Sequence, residues 1–195
     1  MTFLCAGYYY DYGFRAHVAK VVSRVGAMNK TSLTKLERAA YHEAGHAVAS
    51  YLVHRRLACV SIIPNPIDHT LGHCEYRNLA TFKPDAPVTN RLRAQIEKLI
   101  IVLLAGATAE RLKLGSVYPN GSGDDMTLAH NTAMYLSGDD KEAKAYVNWL
   151  SARARNLLAS ESHWNAVEIF AKELTKRRFI GERLARQIIR EAIVG

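Results

Sequence analysis

The segment that most constrains this chain opens on a helix-start signal. Thr34-Lys-Leu-Glu37 has the S/T-x-x-E form that satisfies two orphan backbone donors at a helix N-terminus, and it predicts a helix over 35–54. Inside that helix, Tyr41-His-Glu-Ala-Gly-His46 sets two histidines four residues apart. Residues at that spacing lie on one helix face, so the two imidazoles can converge on a single ion. Gly45 lies in the helix interior, where glycine costs about 1 kcal/mol against alanine. That cost implies something packed against the backbone there. Ala47, Val48 and Ala49 continue the helix as a buried element. The histidine face therefore belongs to a wall rather than an open surface.

His42-Glu43-x-x-His46 is an HExxH pattern. Neutral imidazole suits Zn²⁺, and a carboxylate next to the first histidine reaches a water at the metal rather than the metal itself. Zinc lowers the pKa of such a water to about 7, and a neighbouring carboxylate can accept its proton. Those parts generate a nucleophile for a polarised carbonyl, which is the chemistry of peptide hydrolysis. A catalytic zinc usually has three protein ligands and one open position. Asp68, His69, His73, Glu75, Glu110, Asp124, Asp125 and His130 are the candidates for the third, and spacing alone does not choose among them. Helix N-termini favour carboxylates, which points toward Asp124 and Asp125 behind the Gly-rich loop. Glu110 and Asp124 are also candidates to support the site from behind, Glu110 by orienting a ligand imidazole and Asp124 by tuning the metal or capping its helix.

The remaining periodicity gives a mainly α chain with a small β-sheet, an α+β class. Leu57–Ile63 is β-branched and apolar and reads as a strand stopped by Pro64 and Pro66. Thr70–Tyr76 is a second short strand. A strong helix spans about 89–112, with Leu92, Ile96, Leu99, Ile100, Leu103, Leu104 and Ala107 as its buried stripe and Gly115 as its stop. Residues 116–123 form a loop, and helices follow over about 124–136, 141–159, 161–176 and 182–193. Two regions are expected: an N-terminal segment over 1–30 and one domain over 31–195. In the first, Phe14, Val18, Val21, Val22 and Val25 share one helical face, as in a helix packed on its own domain or docked on a partner.

Charge excludes less than it first suggests. The net charge is +8, with a pI near 9.5, which raises nucleic acid or an anionic surface as partners. The excess sits on the flanks, however: residues 1–40 are net +4, residues 41–140 net −1 and residues 141–195 net +5. No stacking-aromatic reader motif accompanies the basic tail, so no nucleic acid is expected as a partner. The most apolar run, 99–109, is shorter than the roughly 18 residues of a transmembrane segment. Met1–Tyr12 lacks the features of a secretory signal. Cys5, Cys59 and Cys74 form no CxxC pair and suit a reducing compartment, with Cys59 and Cys74 in or near the core. These points together predict a cytoplasmic protein. No GxxxxGK(S/T) or GxGxxG occurs, so an ATPase is not expected on this chain.

His42-Glu-Ala-Gly-His46 followed by Ala47-Val48 resembles the peptidase domain of the FtsH family, the membrane-anchored AAA+ zinc proteases. The likeness continues through Val60-Ser-Ile-Ile-Pro64, Leu71-Gly72, Leu104-Ala-Gly106 with Ala109-Glu110, and Gly121-Ser-Gly-Asp-Asp125-Met126, and into the helical tail over 164–193. It implies His42, His46 and Asp125 as zinc ligands, Glu43 as the general base, and an unfolded or flexible protein as substrate. It also implies assembly as a homo-oligomer. Asp124 departs from it, standing where the family commonly has Asn. The family's ATPase module and membrane anchor have no counterpart in the sequence, so the expectation is a stand-alone zinc endopeptidase not ATP-driven on its own chain, unless a separate ATPase partner delivers substrate. The competing expectation is a metal-binding interaction or regulatory module derived from such a peptidase.

Overall fold

The computed structural model describes residues 34–64, 72–76, 87–116 and 123–195. The expected N-terminal segment over 1–30, with its amphipathic stripe, lies outside the described residues, as do Cys5, Asp68 and His69. Among the described residues, no helix is long and apolar enough to cross a membrane.

Helix α1 spans Lys35–Leu52, and its capping box forms as the sequence predicts. The Thr34 hydroxyl accepts from the Glu37 N–H at 3.2 Å, and the Thr34 N–H donates to the Glu37 carboxylate at 2.9 Å. The helix stops two residues short of the expected end. His54 adopts a left-handed φ of 59°, and the Arg55 N–H turns back to the Ser50 carbonyl at 2.8 Å. That reversal feeds strand β1, Leu57–Ser61. β1 pairs antiparallel on one side with β2, His73–Tyr76, and on the other with β3, Phe179–Gly181, giving the order β2-β1-β3. β1 ends before Ile62 and Ile63, although the Ile62 N–H still donates to the Arg178 carbonyl at 2.9 Å.

Helix α2, Asn90–Leu114, opens on Thr89, whose hydroxyl accepts from the Leu92 N–H at 3.1 Å, and closes on left-handed Gly115. Helix α3, Gly123–Ala133, continues through a 3₁₀ turn over Met134–Leu136. Helices α4 (Asp140–Leu158), α5 (Glu161–Arg177) and α6 (Glu182–Val194) complete the chain. The result is the expected mainly α domain with a small sheet.

Two apolar cores share α2 as their common wall. Val102, Ala105 and Ala109 face one core, which contains Val48 of α1, Val60 of β1, Phe170 of α5 and Ile189 of α6. Ile96, Ile100, Leu103 and Leu104 face the other, with Ala129, Val147, Leu150 and Ala154 of α3 and α4. A helix covered on both sides becomes apolar around its whole circumference. That accounts for the run from Ile100 to Gly106, which is too short for a membrane and too apolar for a surface.

Candidate metal centre

α1 turns its histidine face inward, against α2. His42, Glu43 and His46 are 7%, 6% and 5% exposed. The helices cross closely because Gly45 lacks a side chain: a Cβ there would stand 2.5 Å from the Ala105 carbonyl oxygen and 2.8 Å from the Ala109 Cβ. The cost of a helix-interior glycine is thus offset by close packing, as the sequence implies. Asp125 enters from the first turn of α3.

The three side chains meet at a point. His42 Nε2 and His46 Nε2 are 3.0 Å apart, and Asp125 Oδ2 lies 3.1 and 3.2 Å from them. No other such group of three His, Cys, Asp or Glu side chains comes together among the described residues. The donor chemistry of this trio fits a cation. His42 Nδ1 bonds Glu110 Oε1 at 2.8 Å, and His46 Nδ1 bonds the Val102 carbonyl at 2.8 Å. Both partners can only accept, so both Nδ1 atoms carry hydrogen. In the neutral rings each Nε2 is then left with a lone pair, and the two lone pairs face each other and a carboxylate oxygen. Only a cation or a proton relieves that arrangement. The corners of such a triangle lie about 1.8 Å from its centre, within the roughly 2.0–2.2 Å bond length of zinc to nitrogen and oxygen.

The metal-free electrostatics agree. Burial alone would lower the His42 pKa. Hydrogen bonds to Asp125 and Glu110, with the negative charges of Glu43 and Asp125, outweigh it and raise the pKa to about 10. Burial would raise the Asp125 pKa, but the two imidazoles hold that carboxyl well below its usual range. The pocket is therefore built to keep positive charge beside Asp125.

Comparison with known families places the same stretch of chain. Residues 30–138 match the model of peptidase family M41. The chain belongs to that family. Over 100 residues this M41 chain is 35% identical to an ATP-dependent zinc metalloprotease FtsH of Haemophilus influenzae, covering 50% of the chain and 14% of that protein. Over a 208-residue alignment it is 29% identical to the mitochondrial inner membrane m-AAA protease component YTA10 of Saccharomyces cerevisiae, covering 91% of the chain and 26% of that protein. The chain spans about a quarter or less of each of these relatives.

The other sequence candidates fall away from the trio, with one exception. Glu110 is 3% exposed and holds the His42 ring from behind, with Arg38 Nη1 3.9 Å from its other oxygen. Asp124 is exposed, outside the trio, and stands within the first turn of α3 rather than at its cap. His73 and Glu75 are exposed on β2. His130 lies at the other end of α3, 3.0 Å from Asp140. Cys59 and Cys74 are half-buried free thiols, Cys59 directed at the Glu75 carboxylate and Cys74 at the Glu43 carbonyl. Three contributors escape sequence reasoning. Val102 acts through its carbonyl, which every residue type possesses. Gly72 and Gly106 act by lacking a side chain, the first against Glu43 and the second against both imidazoles.

Proposed function

We propose that this M41 domain is a zinc-dependent endopeptidase, with His42, His46 and Asp125 holding the ion and Glu43 acting as general base. The observation that carries this reading is the state of Glu43. Its Oε2 is buried beside the trio, without a hydrogen-bond partner among the described residues. An orphaned buried carboxylate oxygen is costly, and a structural metal site has no use for one. A general base has, because it must accept a proton from water. When bound, zinc supplies Lewis acidity that lowers the pKa of a water and polarises a carbonyl.

The chain's own residues complete the arrangement. Glu110 and the Val102 carbonyl orient the two imidazoles so that both Nε2 atoms face the ion. Gly72 leads into β2 directly against Glu43: a Cβ there would lie 2.9 Å from the Glu43 Cγ and Oε1. β2 is an edge of the described sheet, so an extended peptide paired to it would run past the base. An unfolded or flexible protein segment is the substrate class that fits such an edge. The relatives' names, ATP-dependent and m-AAA, support delivery of that segment by an ATPase.

The test is cleavage of a reduced, unfolded protein by the purified chain, with wild type and Glu43→Gln compared with and without a chelator. Wild type should carry one zinc and cleave, the chelator should stop it, and Glu43→Gln should keep the zinc while losing cleavage. Zinc retention by His46→Ala, or undiminished cleavage by Glu43→Gln, would overturn the assignment.

A further inference from the structure

The glycine at position 106 supplies no chemical group to the function proposed above, yet a side chain there would collide with the metal-facing nitrogens. A Cβ built on Gly106 would stand 2.5 Å from His46 Nε2, 2.6 Å from His42 Nε2 and 2.7 Å from His42 Cδ2. Cβ atoms do not approach other heavy atoms within 3.0 Å, so an alanine here must displace both imidazoles or push α2 away.

α2 has little freedom to retreat. Four residues before Gly106, the Val102 carbonyl accepts from His46 Nδ1, and four residues after it, Glu110 accepts from His42 Nδ1. Positions four apart share a helix face, so Val102, Gly106 and Glu110 form one strip that touches both rings. Its two ends hold the rings by their Nδ1 atoms, and its centre lies against their Nε2 atoms. Ala105 and Ala109 flank the strip and pack against the bare face of Gly45 of α1, where a Cβ would stand only 2.5 and 2.8 Å from them. Moving α2 outward would break both Nδ1 hydrogen bonds and open the helix crossing.

We propose that Gly106 is a positioning residue that sets the placement of the two imidazole ligands, because only a residue without a side chain lets α2 hold both rings by their outer nitrogens while their inner nitrogens meet. The proposal rests on the zinc reading above for its consequence, but not for its steric content. Alanine is the better helix former, so Gly106→Ala would stabilise the helix if nothing opposed it. The expected loss therefore cannot come from helix propensity.

The experiment compares wild type, Gly106→Ala, His42→Ala/His46→Ala, and the triple variant. Zinc affinity is read by competition with a chromogenic chelator, and Co²⁺ substitution is read by its visible spectrum. Melting temperature and circular dichroism are taken on the metal-free proteins. Gly106→Ala should keep its helical spectrum, bind zinc about 100-fold more weakly or worse, and show an altered Co²⁺ spectrum. It should also melt below wild type, whereas the same substitution should not lower the melting temperature once both imidazoles are gone. Wild-type zinc affinity in Gly106→Ala, or an equal loss of melting temperature in both backgrounds, would overturn the proposal. If Gly106→Ala does not fold, the histidine-free background decides: a folded triple variant supports the clash, and an unfolded triple beside a folded double refutes it. If wild type takes up no zinc, the proposed function fails, and the melting comparison still judges the clash.

Discussion

Replacing Glu110 by alanine tests how the site works without touching any atom that faces the metal. The substitution leaves His42 Nδ1–H, now bonded to Glu110 at 2.8 Å in a buried setting, without its acceptor. An unsatisfied buried donor costs about 1–3 kcal/mol. Because Nδ1 carries its hydrogen in both states, the ring bears part of that cost whether or not zinc is bound. Its orientation matters only to the bound state, and removing an orienting partner typically costs about 10–100-fold in metal affinity. A second effect opposes the first. Glu110 helps raise the His42 pKa to about 10, and at neutral pH zinc must displace that proton. Without Glu110 the proton leaves more easily, which recovers part of the loss. The net expectation for Glu110→Ala is zinc binding about 10-fold weaker at pH 7 and about 20-fold weaker at pH 9, because His42 is still largely protonated there and the full loss emerges only above pH 10. Glu110→Gln keeps an acceptor oxygen, and a neutral hydrogen bond is roughly half as strong as a charge-assisted one, so its affinity should fall between wild type and Glu110→Ala. Chelator-competition titrations at the two pH values, with circular dichroism as the folding control, measure all three proteins. Zinc binding by Glu110→Ala as tight as wild type at both pH values would refute the reasoning.

Gly45→Ala gains about 1 kcal/mol of helix propensity but drives a methyl to 2.5 Å from a backbone oxygen, where overpacking costs about 1–3 kcal/mol. The contact is with backbone, so the upper end applies and urea unfolding should show a net loss of about 2 kcal/mol; an unchanged or higher midpoint would contradict the close crossing. The pH dependence of the metal-free protein follows from His42, whose folded pKa of about 10 lies above its ordinary 6.5. Its contribution to stability is fully present below pH 6.5 and is lost as pH rises through 10. Asp125, with its pKa lowered from 3.8, contributes above that value and loses its contribution as pH falls. Both shifts describe the same pairing and count once. The melting temperature of the metal-free protein should therefore decline between about pH 6.5 and 10; a His42→Ala variant with the same decline would assign it to other groups.

Much of the scaffold is legible in the chain because it is written locally. The capping box fixes the start of α1, Gly115 fixes the end of α2, and the periodicity of residues 92–104 marks the face of α2 that packs on α3 and α4, although the opposite face, with Val102, Ala105 and Ala109, is buried as well. The helical tail follows for the same reason. β3 is not legible: Phe179–Gly181 is too short for a period-two pattern and becomes a strand only because left-handed Arg178 turns the chain back along β1. The two-residue overrun predicted for α1 has a similar origin, since His54 takes a left-handed conformation that residue type alone does not dictate.

For the site, the sequence by itself determined the pair His42 and His46, the adjacent Glu43, and the need for a close neighbour at Gly45, because spacing within a helix is geometry that local sequence fixes. It offered eight residues for the third position, and spacing could not rank them. Tertiary structure brought Asp125 to within 3.1–3.2 Å of both imidazoles, put Glu110 behind His42, and left Asp124, His73 and Glu75 at the surface. It also decided the parts played by the Val102 carbonyl and by the missing side chains at Gly72 and Gly106. Distances between helices depend on how side chains fill the space between them, so a function that rests on a backbone oxygen or an absent Cβ appears only when the helices are packed together.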